Sequence, residues 1–370
     1  MMSEKRDLAP MESKHKGGLE PPESVNVRDV RKGTLRATSY DVARQAGVSQ
    51  STVSRVFRDG ASVSKSTRKK VEAAATALNY SPSLIARSLI TQRSNMIGVI
   101  ITDPSNRAYP EILFYLGQKI QLTGNRMLVF ALPHEADAPE TARQILAYHV
   151  DGIISSAQLD QEFLVLCSEA NVPVVLFNRT PPSALASAVS CDHATGMEML
   201  IQHLAQAEMG HVALLAGPDN APVSNARLAG AIEALRRIGV SHDAPLHSDY
   251  TFEGGQQSAR ALLAGGPSPH TIICANDAMA LGVLDACRFD LGLSVPQDVA
   301  VTGFDDIPQS DWPSHGLTTL RQPIRRMAET TVRLLMDQIS GLTLSGERRF
   351  LPAELKLRSS TRPPSRPGSA

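Results

Sequence analysis

From residue 38 onward, apolar positions repeat at threes and fours. Val42, Ala43 and Ala46 form one stripe, closed by Gly47; Val53, Val56 and Phe57 form a second; Val71, Ala74 and Leu78 form a third. This spacing predicts three amphipathic helices. Each is shorter than the ~12–15 residues that sustain an isolated helix in water, so they must pack on one another. A fourth helical stretch is expected over 82–90, with Pro82 in its first turn. Past Ser94 the texture changes. Apolar, β-branched runs occupy 97–102, 127–132, 152–155, 174–177, 188–191, 212–216, 271–275 and 299–304, with helical patterns at 112–122, 195–207, 226–238, 256–263 and 278–289. Near-continuous apolar strands alternating with helices predict parallel sheets covered on both faces. Their number fits two doubly wound lobes rather than one. In such sheets ligands sit beyond the carboxyl ends of the strands, so a cleft between the lobes is the expected binding place.

Charge sharpens this picture. The formal net charge is zero, yet residues 1–95 carry 17 Lys and Arg against 9 Asp and Glu, leaving 20 against 28 in the remainder. Such asymmetry points to a nucleic-acid-binding segment joined to something else; a solubilising basic surface is the other source of the same pattern. Residues 1–36 are polar and without period, and read as a disordered extension. The four cysteines, Cys167, Cys191, Cys274 and Cys287, form no C-x-x-C pair and have no histidine at ligand spacing, which predicts a reducing compartment and no metal. No apolar run approaches the roughly 18–20 residues that span a bilayer, and the N-terminus lacks the apolar core of a signal peptide. A cytoplasmic protein without cofactor is expected.

The run from Asp41 to Val56 carries the sharpest chemistry. Thr38 and Asp41 have the spacing of a capping box, and Thr38 is also expected among the DNA contacts. Ala43 is small enough for two helices to cross closely, Gly47 permits a left-handed turn, and Val48 fills the inside of the corner. Ser49 caps a second helix that presents Gln50, Ser51, Ser54 and Arg55 while Val53 and Val56 face inward. A major groove admits one such helix; Gln50 suits adenine and Arg55 suits guanine. Ser49 and Thr52 sit where a helix N-terminus meets phosphate. Arg68-Lys69-Lys70 adds a basic cluster.

With Asn79-Tyr80-x-Pro82 following, residues 38–102 resemble the lac repressor/galactose repressor family, whose heads carry D-V-A-x-x-A-G-V-S-x-x-T-V-S-R-V. The resemblance implies a hinge helix that orders on operator DNA, with Leu89 as an apolar wedge in the minor groove. It implies a sensor of two periplasmic-binding-protein-like lobes, and continues through Asp151-Gly152-Ile153-Ile154, the stretch 172–179, Ala275-Asn276-Asp277-Ala278, Gly303-Phe304-Asp305-Asp306 and the crossover 317–323. The domains expected are an extension 1–36, a helix-turn-helix head 37–80, a hinge and linker 81–95, a sensor 96–358 and a disordered tail 359–370. Lobe 1 would take about 96–191 with 320–349, and lobe 2 about 192–319 with 350–358.

The resemblance places Tyr109, Asn178, Arg227, Tyr250, Asn276, Asp305 and Gln322 around the effector. Arg227 could fork onto hydroxyls or a carboxylate, and Tyr250 could stack on a sugar face. A cap, a turn or a satisfied core group is the other role open to each. Asn178 departs from the aspartate of many sugar-binding members and cannot act as a charged acceptor. The implied function is a transcriptional repressor, homodimeric on a near-palindromic operator, controlled by a sugar or sugar derivative; a nucleobase or sugar acid is the alternative effector. The Arg-, Ser- and Pro-rich tail has no leucine heptad for a coiled-coil tetramer. Two rivals share the lobes: a solute-binding protein, which would have no use for residues 38–93, and an α/β enzyme, for which the chain lacks G-x-S-x-G, H-E-x-x-H, Walker A and Rossmann fingerprints.

Overall fold

The computed structural model describes residues 37–57, 62–81, 93–102, 108–132, 138–207, 209–264 and 269–363. The expected extension and the hinge stretch 82–90, with Leu89, lie outside them. The chain divides into two units, Met1–Ser83 and Leu84–Ala370.

The first unit holds three helices: α1 (Ser39–Ala46), α2 (Gln50–Val56) and α3 (Lys65–Ala77). Thr38 caps α1 in a complete capping box with Asp41. Gly47 closes it at φ 63°, a left-handed conformation that carries no Cβ penalty in glycine. Its core is Val42, Ala43, Val53, Val56, Val71, Ala74 and Ala75. Because all seven are valine or alanine, the helices approach closely, and the unit buries too little to spare much stability. Arg68 does not belong to a purely solvent-facing cluster: its guanidinium donates to the Val56 carbonyl at 2.9 Å and ties α3 to the end of α2.

The second unit contains two six-stranded sheets. Lobe 1 carries β1 (Met96–Ile101), β2 (Arg126–Ala131), β3 (Gly152–Ser155), β4 (Val174–Phe177), β5 (Ala186–Asp192) and β11 (Arg348–Pro352), in the order β11-β5-β4-β3-β1-β2 and parallel throughout. Its helices are α4 (Tyr109–Leu122), α5 (Ala138–Ala147) and α6 (Gln161–Glu169). Lobe 2 carries β6 (Val212–Ala216), β7 (Leu246–His247), β8 (Thr271–Cys274), β9 (Ala300–Asp305), β10 (Thr318–Arg321) and β12 (Glu354–Lys356), in the order β12-β10-β9-β8-β6-β7. Only β12 is antiparallel there among these pairings. The helices α7 (His193–Gln206), α8 (Pro222–Arg237), α9 (Phe252–Leu263) and α10 (Asp277–Asp285) belong with it, and α11 (Ile324–Ile339) returns to lobe 1. Strands β1, β3, β4, β6, β8 and β9 are buried along nearly their whole length, as sheets covered on both faces require.

The chain crosses between lobes three times: after Asp192, at Gln322-Pro323 and at Ala353. The last two crossings fall two to three residues beyond the expected boundaries, because β10 completes the second sheet and β11 the first. The tail also differs from expectation at its start. Ser360 and Thr361 are buried. The Ser360 hydroxyl donates to the Val301 carbonyl at 2.6 Å and accepts from the Thr318 amide at 2.8 Å. Ser360 thereby satisfies backbone groups of β9 and β10, and the Thr361 hydroxyl bonds that of Thr318 at 2.8 Å. At the other end, the Asp151 carboxylate accepts from the Ser94 and Asn95 amides, both at 2.8 Å, fixing where the chain joins lobe 1. No helix among the described residues is long and apolar enough to cross a membrane.

Candidate functional site

Two surfaces carry chemistry, one in each unit. In the head, Ser49 accepts from the Thr52 amide at 3.2 Å and caps α2. Its hydroxyl also meets those of Ser51 at 2.9 Å and Thr52 at 2.8 Å. Ser51, Ser54 and Arg55 are exposed, while Val53 and Val56 are buried. Gln50 is half-buried, and its amide donates to the Ser39 hydroxyl at 3.3 Å, so reading a base would require it to exchange that partner. Thr38 is committed to its capping box. Tyr40 on α1, which the sequence reading passed over, is 70% exposed. Its position among polar neighbours hid it from a search for apolar stripes.

The second surface lies at the carboxyl ends of the strands, where the lobes face each other. Arg227, on α8, is 4% exposed. Its guanidinium donates to the Ala275 carbonyl, to Asp305 Oδ1 at 2.8 Å and, through Nε, to His193 Nδ1 at 3.4 Å. The guanidinium carbon also sits 3.8 Å from the centroid of the Phe304 ring. Five N–H groups make up a guanidinium, so one on each terminal nitrogen makes none of these bonds among the described residues. Asp305 Oδ1 also accepts from Gln322 Nε2 at 2.7 Å, and Gln322 Oε1 accepts from Asn178 Nδ2 at 2.9 Å. Asn178 Oδ1 accepts from the Cys191 amide at 3.3 Å and lies 3.2 Å from His193 Nε2. An amide oxygen only accepts, so His193 donates through Nε2 and accepts from Arg227 at Nδ1, which fixes one neutral tautomer. The network thus runs from the end of β4 in lobe 1, through the first two crossovers at His193 and Gln322, to α8 and β9 of lobe 2.

Backbone strain concentrates here. Asn178, Tyr250, Asp305 and Asp306 have φ of 55°, 66°, 122° and 57°. Each such conformation costs of order 1–3 kcal/mol and persists only where surroundings over-determine it. Asp306 is held by Arg358 at 2.7 Å, and Arg321 adds a longer ion pair at 3.7 Å. The buried Asp277 carboxylate accepts from the Ile307 amide at 2.9 Å, from Ser310 at 2.6 Å and from Thr319 at 2.5 Å, pinning the loop that follows. The Tyr250 ring lies against Gly217, where a Cβ would come within 2.4 Å of it. Asn276 caps α10 and donates to the Tyr250 carbonyl at 3.0 Å, so both ends of its amide serve the fold. Tyr109 is 3% exposed and packs within the core, its hydroxyl bonded to Thr102 at 2.7 Å. That placement holds the end of β1.

Comparison with known proteins places this pair of units in context. Residues 38–83 match bacterial regulatory proteins of the lacI family, and residues 201–361 match a periplasmic binding protein-like domain. The ribose operon repressor of Bacillus subtilis (strain 168) is 33% identical over 332 residues, spanning 88% of this chain and 99% of that one. The lactose operon repressor of Escherichia coli (strain K12) is 32% identical over 331 residues, spanning 88% and 91%. The crystal structure of the lac repressor dimer bound to operator and the anti-inducer ONPF superposes with a TM-score of 0.81 at 31% identity, covering 88% of this chain and 99% of that one. The chain belongs to the lacI family of bacterial regulatory proteins. Both its units fit that family: a helix-turn-helix head and two parallel-sheet α/β lobes like those of periplasmic binding proteins.

Within this lacI-family frame, His193 is the cleft residue that the sequence reading missed. Its signal was slight, a histidine opening a helix after Asp192, and only the fold brings it between Asn178 and Arg227. Burial holds its imidazole well below the usual 6.5, with Arg227 and then Arg179 adding to the effect. The folded histidine therefore stays neutral where the unfolded one takes up a proton. Its depressed value makes stability fall as pH drops through about 6.5. His193→Asn is expected to remove that part of the acid-side loss, read as a flatter melting temperature between pH 7.5 and 5; an unchanged profile would show that His193 does not set it.

Proposed function

We propose that this chain is a sequence-specific DNA-binding repressor, not an enzyme, acting in the cytoplasm as a homodimer. Its operator affinity would be set by a sugar-like small molecule bound between the lobes. The observation that carries the reading is the presence in one chain of a capped recognition helix and a sealed polar network joining two lobes. Ser51, Ser54 and Arg55 are exposed on that helix while its valines face the core. A solute-binding protein has no use for the helix. Enzymatic acid–base work is disfavoured because Asp305 and Asp306 are both committed to arginines. Burial also pushes the Cys167 and Cys191 thiols up to about 12, far from a reactive thiolate.

The network supplies a mechanism. A hydroxylated ligand entering between Asn178, Gln322, Arg227 and Asp305 must replace the Asn178–Gln322 and Gln322–Asp305 bonds with its own. Since those bonds join lobe 1 to lobe 2 through a crossover, their exchange shifts the preferred angle between lobes. Coupling to DNA is then reciprocal: operator changes effector affinity by the same factor that effector changes operator affinity. The lac repressor dimer on its operator offers the matching assembly, and twofold protein symmetry requires half-sites about one helical turn apart.

A nuclease footprint on the DNA upstream of the protein's own gene tests this. The expected result is one protected, near-palindromic stretch. Arg55→Ala should lower operator affinity by about 1–3 kcal/mol while leaving random-DNA affinity nearly unchanged. Equal losses on operator and random DNA would mean that Arg55 touches phosphate only.

A further inference from the structure

Charge in the cleft does not balance. Arg227 is matched by Asp305 at 2.8 Å. Asp306 is taken by Arg358 and Arg321, and Asn178 is neutral. That leaves Arg179, directly after Asn178 at the end of β4. Its guanidinium donates to the Asn178 carbonyl at 2.8 Å. Among the described residues no carboxylate pairs with it. Arg179 stands at the carboxyl end of β4, beside Asn178, whose side chain meets Gln322 and His193, and so on the cleft side of lobe 1. Half-buried arginines usually find an anion, because the planar fork matches carboxylate and phosphate oxygens.

We propose that the effector carries an anionic group, a phosphate or carboxylate, which Arg179 receives with help from the free N–H groups of Arg227. This rests on the reading of the cleft as the effector site and narrows the ligand to acidic or phosphorylated sugar-like molecules. The neutral amide at Asn178 suits it, since a carboxylate there would repel the same group. Asp305 Oδ2, which makes none of the network bonds, then receives a ligand hydroxyl. Arg179 thereby becomes the residue that selects charged over uncharged ligands.

The test uses the full-length protein and inorganic phosphate as probe, against chloride at matched ionic strength. Phosphate is expected to raise the melting temperature of the wild type in a saturable way. Arg179→Gln should abolish that rise and Arg179→Lys should retain much of it. Glucose, glucose 6-phosphate and gluconate are then compared by calorimetric titration. At least one charged member should bind at least about tenfold more tightly than glucose, as one charge-assisted hydrogen bond of ~1.5–3 kcal/mol provides. Which of the two it is tells phosphate from carboxylate. Absence of a phosphate-specific rise, or an equal rise in Arg179→Gln, overturns the proposal. Binding of glucose with no gain from charge also overturns it, while leaving the cleft standing as the effector site.

Discussion

Replacing Arg227 by methionine is expected to abolish the response to effector and to destabilise the sensor by about 3–5 kcal/mol, the cost of leaving a buried charge without its partner. The substitution strips Asp305 of its ion pair, and the Ala275 carbonyl and His193 Nδ1 of a donor each. Methionine retains the apolar contact with Phe304, so the loss isolates the guanidinium rather than the volume. Effector affinity should fall by more than about 100-fold, since two charge-assisted hydrogen bonds at ~1.5–3 kcal/mol each disappear. Denaturant unfolding gives the first number and calorimetric titration the second. Retention of effector binding within a few-fold would place the ligand elsewhere.

Asp277→Ala should be nearly as damaging without touching the ligand. Three donors, from Ile307, Ser310 and Thr319, converge on a carboxylate that is fully buried. Each orphaned buried donor costs about 1–3 kcal/mol, so a loss of ~3 kcal/mol or more is expected. The strained Asp305-Asp306 loop should loosen with it, visible as faster amide hydrogen exchange at Asp305 to Ile307. Burial, reinforced by the nearby charge of Asp305, pushes the Asp277 carboxyl up to about 7 from an ordinary 3.8. For an acid raised on folding, the stability it contributes is complete below 3.8 and is lost as pH climbs through about 7. Asp277→Asn should remove that decline, a trend opposite in sign to the one expected of His193. A pH profile identical to wild type would deny Asp277 this titration.

The head was the most legible part of the chain because its determinants are local. Thr38 with Asp41, Gly47 and Ser49 each act within a few residues, and each sits in the cap or turn that its chemistry predicts. The alternation of strands and helices was legible for the same reason. The short edge strands β7, β11 and β12 were not, since two to five residues at a sheet edge carry little period. Helix α11 escaped notice despite Met327, Ala328, Val332 and Leu335 spaced along one face, because as many polar residues as apolar ones are interleaved along it. In the cleft, motif positions suggested Asn178, Arg227, Asp305 and Gln322, and the fold brings all four into one hydrogen-bonded chain. The same reasoning could not separate ligand-facing groups from structural ones. Tyr109 turns into the core, and Asn276 works as a cap. His193 and Asp277 owe their surroundings to neighbours far away in sequence, which no spacing rule reports.

The most direct measurement is a fluorescence-anisotropy titration of the full-length protein on its own upstream DNA. It would be made at two salt concentrations, with competitor DNA, and with and without sugars, sugar phosphates and sugar acids. A DNA-binding, effector-controlled repressor predicts tight binding that survives competitor and shifts with at least one of these ligands. Affinity no greater than for random DNA, with every ligand and at both salt concentrations, would contradict it.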